Sequence, residues 1–158
     1  MPTWAPAGDR PILRPFLTRD HLSAISAVTP NANLYAHFRT WALDNGDVAL
    51  FLQHLLEQIG SPLWLIWDGS PIHHGEPLDA FFREVGPEQV RLERLPAYAP
   101  ELNPDEGVWE FLKRTELPNV SSFSLRKLRW HLDRALMRLR SKPDKILAFF
   151  EAAGLPLE

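Results

Sequence analysis

The chain has 158 residues, 45% of them hydrophobic, which is enough for one core, and a single domain spanning residues 1–158 is expected. No apolar run of about 18 residues occurs, and the opening MPTWAPAGDR lacks both a basic start and an apolar middle. Neither a membrane span nor a signal peptide is indicated, so a cytoplasmic protein without membrane partners is expected. Without cysteine, disulfides and thiolate metal sites are excluded, leaving carboxylates and histidines as metal ligands. The net charge of −3 hides an asymmetry: residues 1–120 hold nine Lys and Arg against sixteen Asp and Glu, whereas residues 121–158 hold eight against four. A basic C-terminal end from about residue 121 fits either an anionic partner or an ordinary solvated helix face.

Residues 1–11, rich in Pro, Gly and Ala, read as a loop. PILRPFL fits a short edge strand, the one place in a sheet that tolerates Pro11 and Pro15. HLSAISAVTP and ANLYAHFRTW predict a hairpin turning at TPNAN, with Leu22, Ala24, Ser26 and Val28 on one face and Ser23, Ile25 and Ala27 on the other. After LDNGD, with Asp47 as N-cap, VALFLQHLLEQI sets Leu50, Phe51, His54, Leu55 and Gln58 or Ile59 at helical spacing and stops at Gly60. The uninterrupted run LWLIW, closed by Asp68-Gly69, predicts a strand buried on both faces. GEPLDAFFREVG predicts a helix with Pro77 in its first turn and Gly86 past its end, and QVRLERL a further strand. A proline-rich approach then enters a helix running from Pro104 to about Glu116. SLRKLRWHLDRALMRLR places Leu125, Leu128, Leu132, Leu136 and Leu139 on one helical stripe, and Pro143 separates it from a closing helix, DKILAFFEAAG. An antiparallel start passing into β-α-β-α predicts an α/β fold with a mixed sheet flanked by helices.

Two carboxylates carry the chemistry. Asp68 stands where a buried strand gives way to a loop, the edge at which open α/β sheets bind ligands, although an Asp-Gly turn also explains it. Glu106 lies three residues after Asn103, with Pro104 between, a pattern that a capping box also explains. Both acids follow consecutive strands, so both are expected at one sheet edge. Two carboxylates converging there repel unless a cation lies between them, and oxygen-only ligation suits Mg²⁺ or Mn²⁺. Such a site activates water and stabilises the leaving oxygen in phosphodiester cleavage.

WDGSPIHHG followed by LPAYAPELNPDEGVWEFLK resembles the paired signature of DDE transposases of the mariner-like superfamily, in its bacterial insertion-sequence branch, and TWAPAGDRP resembles a Trp-Ala-Pro-x-Gly segment of the same family. The matching residues are Asp68, His73, Pro96, Tyr98, Pro100, Leu102, Asn103, Pro104, Glu106, Trp109 and Lys113. The resemblance implies a ribonuclease H-like fold in which three acids hold two metal ions and DNA is cut and rejoined at transposon ends. Asp68 would be the second acid and Glu106 the third, with 37 residues between them. His73 and Asn103 would lie near the site, Asp105 would stabilise the helix N-terminus, and Trp109 and Leu112 would be core residues. Lys113, Arg114, Arg126, Lys127, Arg129, Arg134, Arg138 and Arg140 are the candidate DNA contacts. The prolines at 96, 100 and 104 would route Glu106 to Asp68.

The family's first acid precedes the Trp-Ala-Pro-x-Gly segment, which here begins two residues after Met1. An N-terminally truncated catalytic domain is therefore expected, without the first central strand and the helix-turn-helix region. Its activity would be impaired when alone. A homodimer or a complementing N-terminal fragment is the expected partner, and a non-catalytic DNA-binding or regulatory fragment is the alternative.

Overall fold

A computed structural model describes residues 21–60, 62–117 and 124–155, so the TWAPAGDRP and PILRPFL segments lie outside the described residues. The predicted hairpin forms from β1 (Ser23–Val28) and β2 (Leu34–Arg39), antiparallel, with Ser23 opposite Arg39 and Val28 opposite Leu34. The hairpin divides two cores. Leu22, Ala24, Val28, Leu34, Ala36 and Phe38 face one of them, and Ile25, Ala27 and Tyr35 face the other. The faces separate at the period of two that a strand dictates.

On the second side lies α1 (Asn45–Ile59), which ends at Gly60 in the left-handed conformation with φ of 66°. Its N-cap is Asp44, not Asp47. The Asp44 carboxylate accepts the N–H groups of Gly46 and Asp47, while the Asp47 carboxylate accepts the Asp44 N–H and pairs with Arg39 at 3.0 Å. Burial acts to raise the Asp47 pKa, but the Arg39 and Asp44 hydrogen bonds prevail and hold it below the usual carboxylate range. The buried stripe is rotated from the predicted one: Val48, Phe51, Leu52 and Leu55 are buried, whereas Leu50 and His54 are exposed. Starting the helix three residues earlier does not move a stripe. The cause is that α1 packs on both the hairpin and α2 (Glu76–Val85), which bury Val48 and Leu52.

β3 (Leu63–Trp67) and β4 (Val90–Arg94) pair in parallel around α2, with Leu63 opposite Val90 and Trp67 opposite Arg94. β3 was expected to be buried on both faces. Instead Trp67 is buried while Trp64 and Ile66 are 67% and 46% exposed, because the helices cover one face of this pair and leave the alternate residues open. Nor do the described strands join into one mixed sheet. They form two separate two-stranded sheets, β1-β2 and β3-β4.

The first core is helical. α3 (Pro104–Phe111), followed by a π-helical turn at Leu112–Glu116, packs with α4 (Leu125–Arg140) and α5 (Pro143–Ala152), burying Val108, Leu112, Leu132, Leu136, Leu139 and Ile146. Leu125 and Leu128, on the predicted α4 stripe, are only half-buried and lie outside the buried cluster. α3 approaches α5 so closely that a Cβ added at Gly107 would lie 2.9 Å from Phe149 Cδ1. Alanine usually stabilises a helix interior relative to glycine, but here Gly107→Ala is expected to cost about 1–3 kcal/mol through overpacking, measurable by urea unfolding.

Candidate active site

A cavity of about 380 Å³ lies between the two sheets, lined by residues 24–28 of β1 and residues 64–68 at β3. Successive residues of a strand point to opposite faces. A cavity that touches all of them runs along the strand's edge. Since each strand has one partner among the described residues, this cavity is the gap between two unpaired edges. Phe51, Leu52 and Leu55 of α1 make part of its wall, and its polar lining includes Asp68, Ser70, His73, Asn103, Asp105 and Glu106.

Asp68 follows the last residue of β3 and is about half exposed. Its Oδ1 accepts the Ser70 N–H at 2.9 Å, which closes a tight turn and fixes the carboxylate. His73 lies on the short 3₁₀ turn at Pro71–His73 and stacks on Trp67 with ring centroids 4.4 Å apart and planes 3° from parallel. Its Nδ1 sits 3.0 Å from both the Asp68 carbonyl oxygen and Asp68 Oδ1. The imidazole thus braces the acid rather than standing apart in the loop. Asp68 Oδ2 has no hydrogen-bond partner among the described residues, and Asp68 lines the cavity.

Glu106 is the third helical residue of α3. The capping box does not form: Asn103 Oδ1 accepts from Asp105 N at 3.1 Å, and the Glu106 carboxylate does not return to the cap. It is exposed and lines the same cavity as Asp68. The proline-rich approach includes a second 3₁₀ turn, Pro100–Leu102, and Tyr98 at a positive φ of 59°.

Asp105 does more than stabilise a helix end. Ser26 Oγ donates to its carboxylate, 2.9 Å from Oδ1 and 2.7 Å from Oδ2, and Trp109 Nε1 donates to Ser26 Oγ at 2.8 Å and to Asp105 Oδ2 at 3.1 Å. Burial pushes the Asp105 carboxyl up to about 6, against the pull of the Ser26 and Trp109 hydrogen bonds and with a further push from the Glu106 charge. The spacing of Asp105 and Trp109 marks one helix face, but nothing local in the sequence names Ser26 as their partner. The folded pKa lies above the unfolded 3.8, so the fold holds this proton more tightly than the unfolded chain. The contribution to stability is full below about pH 4 and is lost as pH rises through about 6. Metal-free Asp105→Asn, which cannot ionise, is expected to melt higher than wild type at pH 7.5 and to lose that advantage near pH 4.

The basic residues divide. Arg129 donates to both Asp133 oxygens and lies over the Phe38 ring, Arg138 pairs with Glu116 at 2.6 Å, Arg140 Nε donates to the Leu34 carbonyl, and Arg114 pairs with Glu110. Lys113, Arg126 and Lys127 are exposed and form no ion pair among the described residues, and Arg134 lies over the exposed Trp130 ring.

No helix among the described residues is long and apolar enough to cross a membrane. No curated protein matches the chain. The family model described as DDE superfamily endonuclease matches residues 1–129. That match covers most of the sequence, and the chain belongs to the DDE superfamily endonucleases.

Proposed function

We propose that this chain is the catalytic part of an insertion-sequence transposase of the mariner-like superfamily, cutting DNA strands and transferring them at transposon ends, with Asp68 and Glu106 holding Mg²⁺ or Mn²⁺. The observation that carries this reading is that two carboxylates far apart in sequence line one cavity, and neither the Glu106 carboxylate nor Asp68 Oδ2 has a hydrogen-bond or ion-pair partner among the described residues. DDE endonucleases generally work with divalent metals, and the donors here suit one: they are hard oxygens, while the nearby His73 Nδ1 is turned to Asp68. Among the described residues no group of three His, Asp or Glu is placed to hold a metal. Two carboxylates fit a cation that completes its coordination with water and phosphate oxygens. When bound, the metal supplies an activated water and stabilises the leaving oxygen. His73 holds the Asp68 carboxylate in orientation, as outer-shell partners do, and the exposed Lys113, about two helical turns beyond Glu106, is the proposed phosphate contact.

The open groove bears on the first acid. A strand bonded to both edges would join β2-β1 to β3-β4 in one ribonuclease H-like mixed sheet and would bring its own side chains to Asp68. A second polypeptide, either a complementing N-terminal fragment or another copy of the chain, is the proposed source. Strand cleavage of end-labelled DNA in Mn²⁺ tests the reading: it is expected in the complemented protein and lost in both Asp68→Ala and Glu106→Ala. Undiminished cleavage by either variant would refute it.

The outer face of α4 favours a second reading, a non-catalytic DNA-binding or regulatory role, because Arg126, Lys127 and Arg134 stand exposed beside Trp130. Under that reading DNA affinity falls steeply with salt, and the triple substitution of these residues by Ala reduces the salt slope by about three. Binding indifferent to salt would exclude it.

A further inference from the structure

We propose that Ser26, Asp105 and Trp109 form a clamp that positions Glu106 for the cation, so that Ser26, on a strand 80 residues away from Glu106, is a positioning residue of the site. This rests on the two-carboxylate reading above.

Glu106 needs such support because its own approach is weak. Beyond Leu95 the backbone from residue 96 to 103 makes only short-range hydrogen bonds among the described residues, Leu102 N to Ala99 O, Asn103 N to Pro100 O and Glu106 N to Asn103 O, and Tyr98 projects fully into solvent. The prolines limit the route of this segment but tie it to nothing else. The anchor lies on the helix. Asp105 immediately precedes Glu106, and successive helical residues are about 100° apart around the axis. Rolling α3 to swing Glu106 away from Asp68 therefore also swings Asp105 off Ser26. Trp109, one turn on and on the same face as Asp105, bonds to both members and holds the second turn in the same rotation.

The hydrogen-bond inventory closes. The Ser26 hydroxyl has one proton, given to the Asp105 carboxylate, and its oxygen accepts from the indole N–H. Asp105 and Trp109 make no other hydrogen bond to β1 among the described residues, although Trp109 shares an apolar cluster with Ala24 and Val28. Val108 and Leu112 also seat α3 against its core, so the clamp sets the rotation of its first turn rather than its presence. Loss of the clamp should thus behave like loss of an outer-shell partner, weakening metal binding without unfolding the chain.

The test is the affinity of the full chain for Mn²⁺, read from the spin-resonance signal of the free ion, with circular dichroism confirming the fold. Ser26→Ala is expected to weaken binding about 10-fold, and Ser26→Thr, which keeps the hydroxyl, to restore most of it. In a Glu106→Ala background Ser26→Ala should weaken binding no further, because the clamp acts through that carboxylate. Ser26→Ala within about twofold of wild type, the same loss in the Glu106→Ala background, or failure of Ser26→Thr to restore binding would overturn the clamp. Should Ser26→Ala not fold, Trp109→Phe, which removes the indole donor together with part of the ring, is read in the same way once circular dichroism shows it folded. An Asp68→Ala chain that binds Mn²⁺ as tightly as wild type overturns the two-carboxylate reading itself, which is a different result from loss of the clamp alone.

Discussion

Asp68→Ala is expected to lower Mn²⁺ affinity by more than about 100-fold, because substitutions of outer-shell partners alone cost about 10–100-fold and Asp68 is read as a direct ligand. Stability should barely change. The carboxylate is about half exposed, and its structural role is one hydrogen bond from Ser70 N and the contact with His73, together on the order of 1 kcal/mol. Glu106→Ala should have a comparable effect on affinity with even less effect on stability, since its side chain caps nothing. Asp79→Ala, an exposed acid on α2, serves as the control and should leave affinity unchanged. Titration calorimetry of the four proteins checks the pattern. Equal losses in melting temperature and in affinity for Asp68→Ala would assign Asp68 to the turn rather than to a site.

The largest stability effect is expected at Leu136, almost fully buried where α4 meets α3 and α5. Leu136→Ala should cost about 3 kcal/mol, since truncating a buried leucine removes apolar contact and leaves a cavity that helices on several sides cannot close. For a domain of this size that corresponds to a fall in melting temperature of roughly 6–12 °C. Against a usual stability of about 5–15 kcal/mol, one such substitution consumes much of the margin. Leu128→Ala, on the same predicted stripe but half-buried, should cost less than half as much. A smaller loss at Leu136 than at Leu128 would mean that the helical core is arranged otherwise.

Much of this architecture was legible because it depends on neighbours in sequence. The hairpin follows from alternation between residues 22 and 39, the stop of α1 from Gly60, the start of α3 from Asn103-Pro104, and the α2 boundaries from Pro77 and Gly86. What failed depends on distant surroundings. Asp47 has the side chain of a good N-cap, but Asp44 takes that position and Arg39, on another element, draws Asp47 into an ion pair. LWLIW has the composition of a strand covered on both faces, yet composition cannot report that no described element covers Trp64 and Ile66. That Asp68 and Glu106 line one cavity agrees with their places after consecutive strands, while the bond that Asp105 makes besides its place in the first turn of α3 was not readable because its partner Ser26 is 79 residues away. The candidate DNA-binding arginines look equivalent in sequence, and only the fold shows that Arg114, Arg129, Arg138 and Arg140 have partners within the protein.

The most direct test of the account is localised cleavage of the polypeptide by Fe²⁺ substituted for the native ion, with ascorbate and peroxide generating hydroxyl radicals at the metal. One cation held by both carboxylates predicts backbone cuts around residues 68 and 106 together, suppressed by excess Mg²⁺, with both sets lost in Asp68→Ala and in Glu106→Ala. Cuts at one segment only, or cuts at residue 68 that survive Glu106→Ala unchanged, would contradict a shared site.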